Sequence, residues 1–224
     1  MEEKLPTEKS DLLPSSENTA ETKPEKTMTA KESFWDLAKF VVILLAIVIP
    51  FRMYVAQPFI VHGSSMYPTF NGGKDVIGNK TYGDSGFGDY LIIDEFSYLL
   101  REPKRGEVIV FHNPQDHSVF FIKRIIGLPG EIVSVKRGEV SITKADGTKE
   151  TLDEKGYLGS ENTIETVKQL GADEYFVMGD NRQVSYDSRS WGPLKKDLIT
   201  GRALLRLFPP TKISFLPGEH EFTN

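Results

Sequence analysis

Between residues 34 and 55 the chain turns from polar to almost wholly apolar, and that change limits how everything else can be arranged. The segment reads Phe34-Trp-Asp-Leu-Ala-Lys-Phe-Val-Val-Ile-Leu-Leu-Ala-Ile-Val-Ile-Pro-Phe-Arg-Met-Tyr-Val55, with Ser33 as a candidate helix cap. Its strictly charge-free core, Phe40–Phe51, has 12 residues, whereas a membrane span usually needs about 20. Trp35 and Tyr54 suit the two interfaces, and Lys39 and Arg52 can snorkel. A helix over Trp35–Val55 would rise roughly 30 Å at about 1.5 Å per residue, the thickness of a hydrocarbon core. A cleaved signal peptide fits less well, because cutting after Ala56 would put bulky Tyr54 at the outer small position. A buried helix of a soluble domain is the third reading. The segment favours a single uncleaved anchor over 34–56.

Residues 1–33 are polar and lack hydrophobic periodicity, so they are expected to be a disordered tail. Lys4, Lys9, Lys23, Lys26 and Lys31 outweigh the acids for topology, which puts the tail in the cytoplasm and the remainder outside the cell membrane. The 27 basic and 32 acidic residues leave a formal net charge of -5, which argues against a nucleic-acid partner. With no cysteine, disulfides, thiolate catalysis and zinc on sulfur are excluded. His62, His112, His117 and His220 form no H-x-x-x-H pair, so no metal site and no cofactor is expected.

From residue 57 to 215 the pattern is mainly β. Gly106–Phe111, Val119–Ile126, Glu131–Val135 and Glu174–Met178 are β-branched or aromatic runs, punctuated by Pro129-Gly130, Arg137-Gly138 and Asp146-Gly147. The expected architecture is a folded or coiled antiparallel sheet behind a single N-terminal transmembrane helix. Residues 71–104 and 136–172 read as insertions without recognisable chemistry, and 161–170 as a short helix.

Three segments carry chemistry. In Gly63-Ser-Ser-Met-Tyr-Pro-Thr69, Gly63 gives backbone freedom and Pro68 fixes a turn, so a hydroxyl can be held in one pose. Serine needs a base to become a nucleophile. On local grounds Ser64 competes with Ser65, and a plain polar turn competes with both. In Val119-Phe-Phe-Ile-Lys-Arg-Ile-Ile126, strand alternation puts Lys123 on one apolar face and Arg124 on the other. Burial would favour a neutral Lys123 amine. A snorkelling edge-strand lysine is the bland alternative. Arg124 stays protonated and is assigned a structural or ion-pair role. In Met178-Gly-Asp-Asn-Arg-Gln-Val-Ser-Tyr-Asp-Ser-Arg189, the pattern lets Asp180, Arg182, Asp187 and Arg189 pair and brace a loop, while Ser185 could aim a hydroxyl at a neutral lysine.

These segments, with Pro103-Lys-Arg-Gly-Glu-Val108 and the anchor, resemble bacterial type I signal peptidases over roughly residues 34–210. The resemblance implies a membrane-bound serine endopeptidase with a Ser/Lys dyad that removes signal peptides from secretory preproteins after small residues. It implies Ser65 as nucleophile, Lys123 as general base and Ser185 as the serine that orients the lysine. Asp180, Arg182, Asp187 and Arg189 would support the site, and Met66 would pack beside the dyad near the substrate pocket and the membrane lipid. Many Gram-negative members have a serine where this chain has Gly63, so the chain looks Gram-positive. The oxyanion would then rely on the Ser65 backbone amide and one further donor or water.

Other readings compete. A Ser/His/Asp hydrolase would need a histidine base, but His62 is only three residues from Ser65, and His112 and His117 flank a Pro-containing turn. Another Ser/Lys processing protease would share the dyad and differ in substrate. A non-catalytic membrane-anchored β module would have no use for Ser65, Lys123 and Ser185 together.

Overall fold

A computed structural model describes residues 30–54, 57–83, 86–159 and 164–222, so the expected tail lies almost wholly outside the described residues. The chain divides into two units, one ending at Leu44 and one running Leu45–Asn224. Helix α1 (Ala30–Tyr54) has 25 residues. Asp36 and Lys39 pair across one turn at 3.3 Å, and every side chain from Phe40 to Ile49 is exposed. Among the described residues no helix is long and apolar enough to cross a membrane. The side chains of residues 50–54, and residues 55–56, complete the expected anchor and lie outside the described set.

The second unit is antiparallel β throughout its paired strands, as the alternating runs lead one to expect. Strand β1 (Gln57–Ile60) begins soon after the helix. A small hairpin follows, β2 (Asp75–Ile77) and β3 (Lys80–Tyr82), then β4 (Tyr90–Asp94) and the single-turn helix α2 (Ser97–Leu100). The long hairpin β5 (Val108–Asn113) and β6 (Asp116–Gly127) comes next. Strands β7 (Ile132–Lys136), β8 (Glu139–Thr143), β9 (Lys149–Thr151) and β10 (Thr166–Gln169) lead to β11 (Glu174–Met178). After α3 (Ser188–Trp191), strands β12 (Leu194–Lys195), β13 (Ile199–Phe208) and β14 (Ser214–Phe215) complete the set.

The main sheet is ordered β1-β4-β13-β5-β6-β11-β12, with β14 on β13; a second sheet runs β10-β7-β8-β9. Val61, Met66, Phe70, Leu91, Ile93 and Val108 belong to one buried cluster in the main sheet. Ile109, Phe111, Ile125, Tyr175 and Val177 belong to another. The second sheet closes its own core with Val133, Val135, Val140, Ile142 and Leu170. By the usual transfer coefficient each such fully buried aliphatic side chain is worth about 1.5–3 kcal/mol, so these clusters hold the strands that carry the site.

The hairpins that Arg137-Gly138 and Asp146-Gly147 punctuate are β7–β8 and β8–β9 of the second sheet. One local expectation needs correcting. Residues 161–163 of the helix expected over 161–170 lie outside the described residues, and Thr166–Gln169 is instead β10, in register with β7 from Thr166↔Val135 to Gln169↔Ile132. Thr166 and Val167 are β-branched, and pairing with a waiting strand edge outweighs weak helical propensity. The chain beyond residue 215 also packs inward, for Gly218 carbonyl accepts from Arg124 and His220 N–H donates to Gly106.

Candidate active site

Ser65 sits in a tight turn directly after the buried Val61. Gly63 has φ +78°, a left-handed conformation in which any side chain is strained, so glycine rather than serine is suited to this position. Met66, 1% exposed, pins the turn into the core. Behind the turn Asn181 N–H donates to Ser65 carbonyl, and Asn181 Nδ2 donates to Ser64 carbonyl at 3.1 Å. The Ser65 N–H donates no hydrogen bond among the described residues and stays free to meet an oxyanion.

Lys123 arrives from β6, where it faces Ile109 of β5. Its side chain is 3% exposed. Nζ lies 2.8 Å from Ser65 Oγ and 2.8 Å from the Ile122 carbonyl oxygen, and 5.2 Å from the Phe121 ring centroid. Burial pushes its pKa down to about 8; Asp187 and Asp180 oppose the drop and Arg189 adds to it. With that pKa the amine is neutral in a minor fraction at pH 7 and in the larger part above about pH 8, and its neutral form, within hydrogen-bond reach of a hydroxyl, can take that hydroxyl's proton. The pair opens into a cleft of about 340 Å³ whose walls include Phe59, Leu91, Phe121 and Ile122.

The loop after β11 surrounds the pair. Asp187 and Arg189 pair with each other, Arg189 Nε to Asp187 Oδ1 at 2.8 Å, both fully buried. Burial opposes charge on Asp187, but the bonds from Arg189 and from the Gly179 N–H hold its carboxyl below the ordinary range. Asp180 and Arg182 do not pair with each other. Asp180 accepts two bonds from Arg124, Nε to Oδ1 at 2.9 Å and Nη2 to Oδ2 at 2.6 Å, and a third from Thr69 Oγ1 at 2.5 Å. Arg182 makes its two-pronged contact with Glu154, at 2.9 and 2.5 Å. Ser185 is buried, and its Oγ satisfies no hydrogen-bond geometry, to Lys123 or to any other group among the described residues. It lies near enough to Asp187 to be the last of the contributions that lower that carboxyl.

A family model described as "Signal peptidase, peptidase S26" matches residues 34–208, most of the chain. The chain belongs to the S26 family of signal peptidases. It is 35% identical over 210 residues to "Probable signal peptidase I-2" of Synechocystis sp., covering 90% of this chain and 85% of that one. It is 32% identical over 198 residues to "Signal peptidase I T" of Bacillus subtilis, covering 86% and 92%. A solved signal peptidase I from Enterococcus faecalis is 28% identical, covers 46% of this chain and 97% of that one, and superposes with a TM-score of 0.38. The protein is thus a serine endopeptidase that removes signal peptides, and its substrates are secretory preproteins.

Sequence reasoning overlooked several residues of this signal peptidase. Gly179 is one: a Cβ there would lie 2.3 Å from Ser185 Oγ and 2.4 Å from Ser65 carbonyl oxygen, so glycine alone lets the loop, Ser185 and the Ser65 turn converge. Glu154, in a stretch read as carrying no chemistry, is the partner of Arg182. Thr69 is a partner of Asp180, beside Arg124, whose expected ion-pair role is the one it fills. The one available signal was Arg124, a lone charge on an apolar strand face, which called for a buried acid without naming it.

Proposed function

We propose that Ser65 is the nucleophile and Lys123 the general base of this signal peptidase. The observation that carries the reading is the 2.8 Å contact between Ser65 Oγ and a fully enclosed lysine whose pKa is brought down to about 8. Neutral Lys123 takes the Ser65 proton as Oγ attacks the scissile carbonyl. The developing oxyanion is met by the Ser65 N–H. Protonated Lys123 then passes its proton to the leaving amine, which breaks the C–N bond and leaves an acyl-enzyme. Water, deprotonated by the same lysine, attacks the ester; the C–Oγ bond breaks, Lys123 gives the proton to the departing Ser65 Oγ, and the carboxylic acid product leaves.

The supporting roles follow from the contacts. Asp180, Arg182, Asp187 and Arg189 brace the loop behind the dyad, and Met66 seats the serine turn in the core. Ser185 positions the lysine: its unsatisfied hydroxyl can accept from the ammonium that forms during the reaction. β1 is the outermost strand of its sheet, and on β6 only the Arg124–Gly127 end is covered by β11 among the described residues. An extended precursor can add a strand to these edges. The small-x-small site that the family resemblance implies would place its small side chains against Phe59, Phe121 and Ile122 of the cleft. The apolar run 34–56 anchors the enzyme as a single pass, with the tail in the cytoplasm, residues 57–215 as the extracytoplasmic catalytic domain, and membrane lipid as its surroundings.

The test is cleavage of a membrane-inserted precursor with an Ala-x-Ala site by wild type, Ser65→Ala and Lys123→Ala, scored by product mass. Wild type should cut once, after the second alanine, and both folded variants should not cut. Cutting that survives Lys123→Ala would reject the dyad and send the search for a base to the histidines.

A further inference from the structure

The β2–β3 hairpin lies in a stretch, 71–104, that suggested no chemistry from sequence, yet it forms part of the cleft wall. Asp75 and Ile77 line the same cleft as Ser65 and Lys123. Three contacts tie the hairpin to the Ser65 turn and to the loop that surrounds the dyad. Ser64 Oγ donates to Asp75 Oδ2 at 2.8 Å. Lys80 Nζ donates to Gln183 Oε1 at 3.2 Å. The rings of Tyr67 and Tyr82 meet edge to face, 6.1 Å apart.

Asp75 is half-buried and makes no ion pair among the described residues. Of the carboxylates, lysines and arginines among the described residues, only Asp75 and Lys123 line the cleft. Lys123 donates to Ser65 and to the Ile122 carbonyl, not to Asp75. Its carboxylate therefore has no partner in the dyad, and the hydroxyl of Ser64 fixes the direction of one oxygen. A fixed, uncompensated negative charge on a partly dry wall discriminates between substrates by their charge.

We propose that Asp75, held by Ser64, selects the charge of the precursor next to the cut, favouring a basic residue and disfavouring an acidic one at the position that meets the hairpin. This rests on the proteolytic role proposed above and adds a specificity residue to it. Opposite charges attract and like charges repel across the same gap, so the two effects combine in one ratio. The contact is partly exposed, so the preference is expected to be about 5-fold at low salt and to shrink as salt is added.

The experiment uses the full chain in lipid and a parent precursor with an Ala-x-Ala site. Single Lys and Glu residues are placed in turn at each position from three before to two after the cut, sparing the two alanines. The readout is the ratio of kcat/KM for the Lys and Glu versions. Wild type should show a ratio of about 5 at one position. Asp75→Asn should bring it to about 1, and Asp75→Lys should invert it. A wild-type ratio of 1 at every position would overturn the inference, as would a ratio unchanged in Asp75→Asn. A variant that slows all substrates alike with the ratio intact would reduce Asp75 to a tether for the hairpin and overturn it too. Failure of wild type to cut the parent precursor is a different result: it removes the proteolytic reading, and the inference with it.

Discussion

A lysine 3% exposed and a hydroxyl 2.8 Å from it set opposing demands at the scale of single residues. Catalysis needs the amine neutral, and burial supplies that at a cost in stability whenever the amine is charged. If Lys123 is the base, kcat/KM should rise with pH through about 8 and then level, which a pH profile on an uncharged substrate would show. The stability consequence has a definite sign. From about pH 8 up to its ordinary value of 10.5, the unfolded chain binds a proton at this lysine that the folded chain does not. Stability therefore rises with pH across that window, by up to about 3 kcal/mol from this group. Lys123→Met should consequently stabilise the protein most at pH 7 and lose the advantage toward pH 10.5. Thermal unfolding of both proteins at the two pH values checks this.

At the scale of elements, the loop from Met178 to Arg189 is knit by its own hydrogen bonds, Gly179 N–H to Asp187 and Arg182 Nε to the Gly179 carbonyl among them, while most of its ion pairs reach outside it. Only Asp187 and Arg189 pair within it; Asp180 depends on Arg124 in β6, and Arg182 on Glu154 after β9. Removing one partner of a fully buried pair leaves an uncompensated charge, which typically costs about 3–5 kcal/mol. Arg124→Met should therefore lower the urea midpoint well beyond an ordinary core substitution. Arg124→Met with Asp180→Leu should recover part of that loss. Gly179→Ala tests the close approach directly. Its methyl would fall 2.3 Å from Ser185 Oγ and 2.4 Å from Ser65 carbonyl oxygen, and one of these is backbone that cannot swing away. The dyad should be pushed apart, with kcat falling by more than about 10-fold while KM changes little.

At the scale of the whole molecule, the apolar side chains from Phe40 to Ile49 are exposed on α1, in a region that the proposed topology assigns to lipid. Replacing Ile43, Leu44 and Ile47 together with lysine in the full chain should release the protein from alkaline-washed membranes. Cleavage of a membrane-inserted precursor should then fall by at least about 10-fold, because the effective concentration supplied by a shared membrane is lost. Cleavage of a short soluble peptide, which owes nothing to that shared surface, is the internal reference.

Sequence reading reached as far as local rules reach. Alternation in Val119–Ile126 put Lys123 and Arg124 on opposite faces of one strand, Gly63 marked a special turn, and β-branched runs marked the strands. Those inferences depend on residues close in the chain, where geometry is set by backbone periodicity and sterics. Pairings across long separations were another matter. That Asp180 would meet Arg124 rather than Arg182, that Glu154 would reach under the loop, and that the 75–82 hairpin would wall the cleft depended on how two sheets pack. Several acids were chemically suitable partners for each arginine. Burial chose among them, because a buried guanidinium is tolerated only where the folded sheets happen to bring a carboxylate within reach.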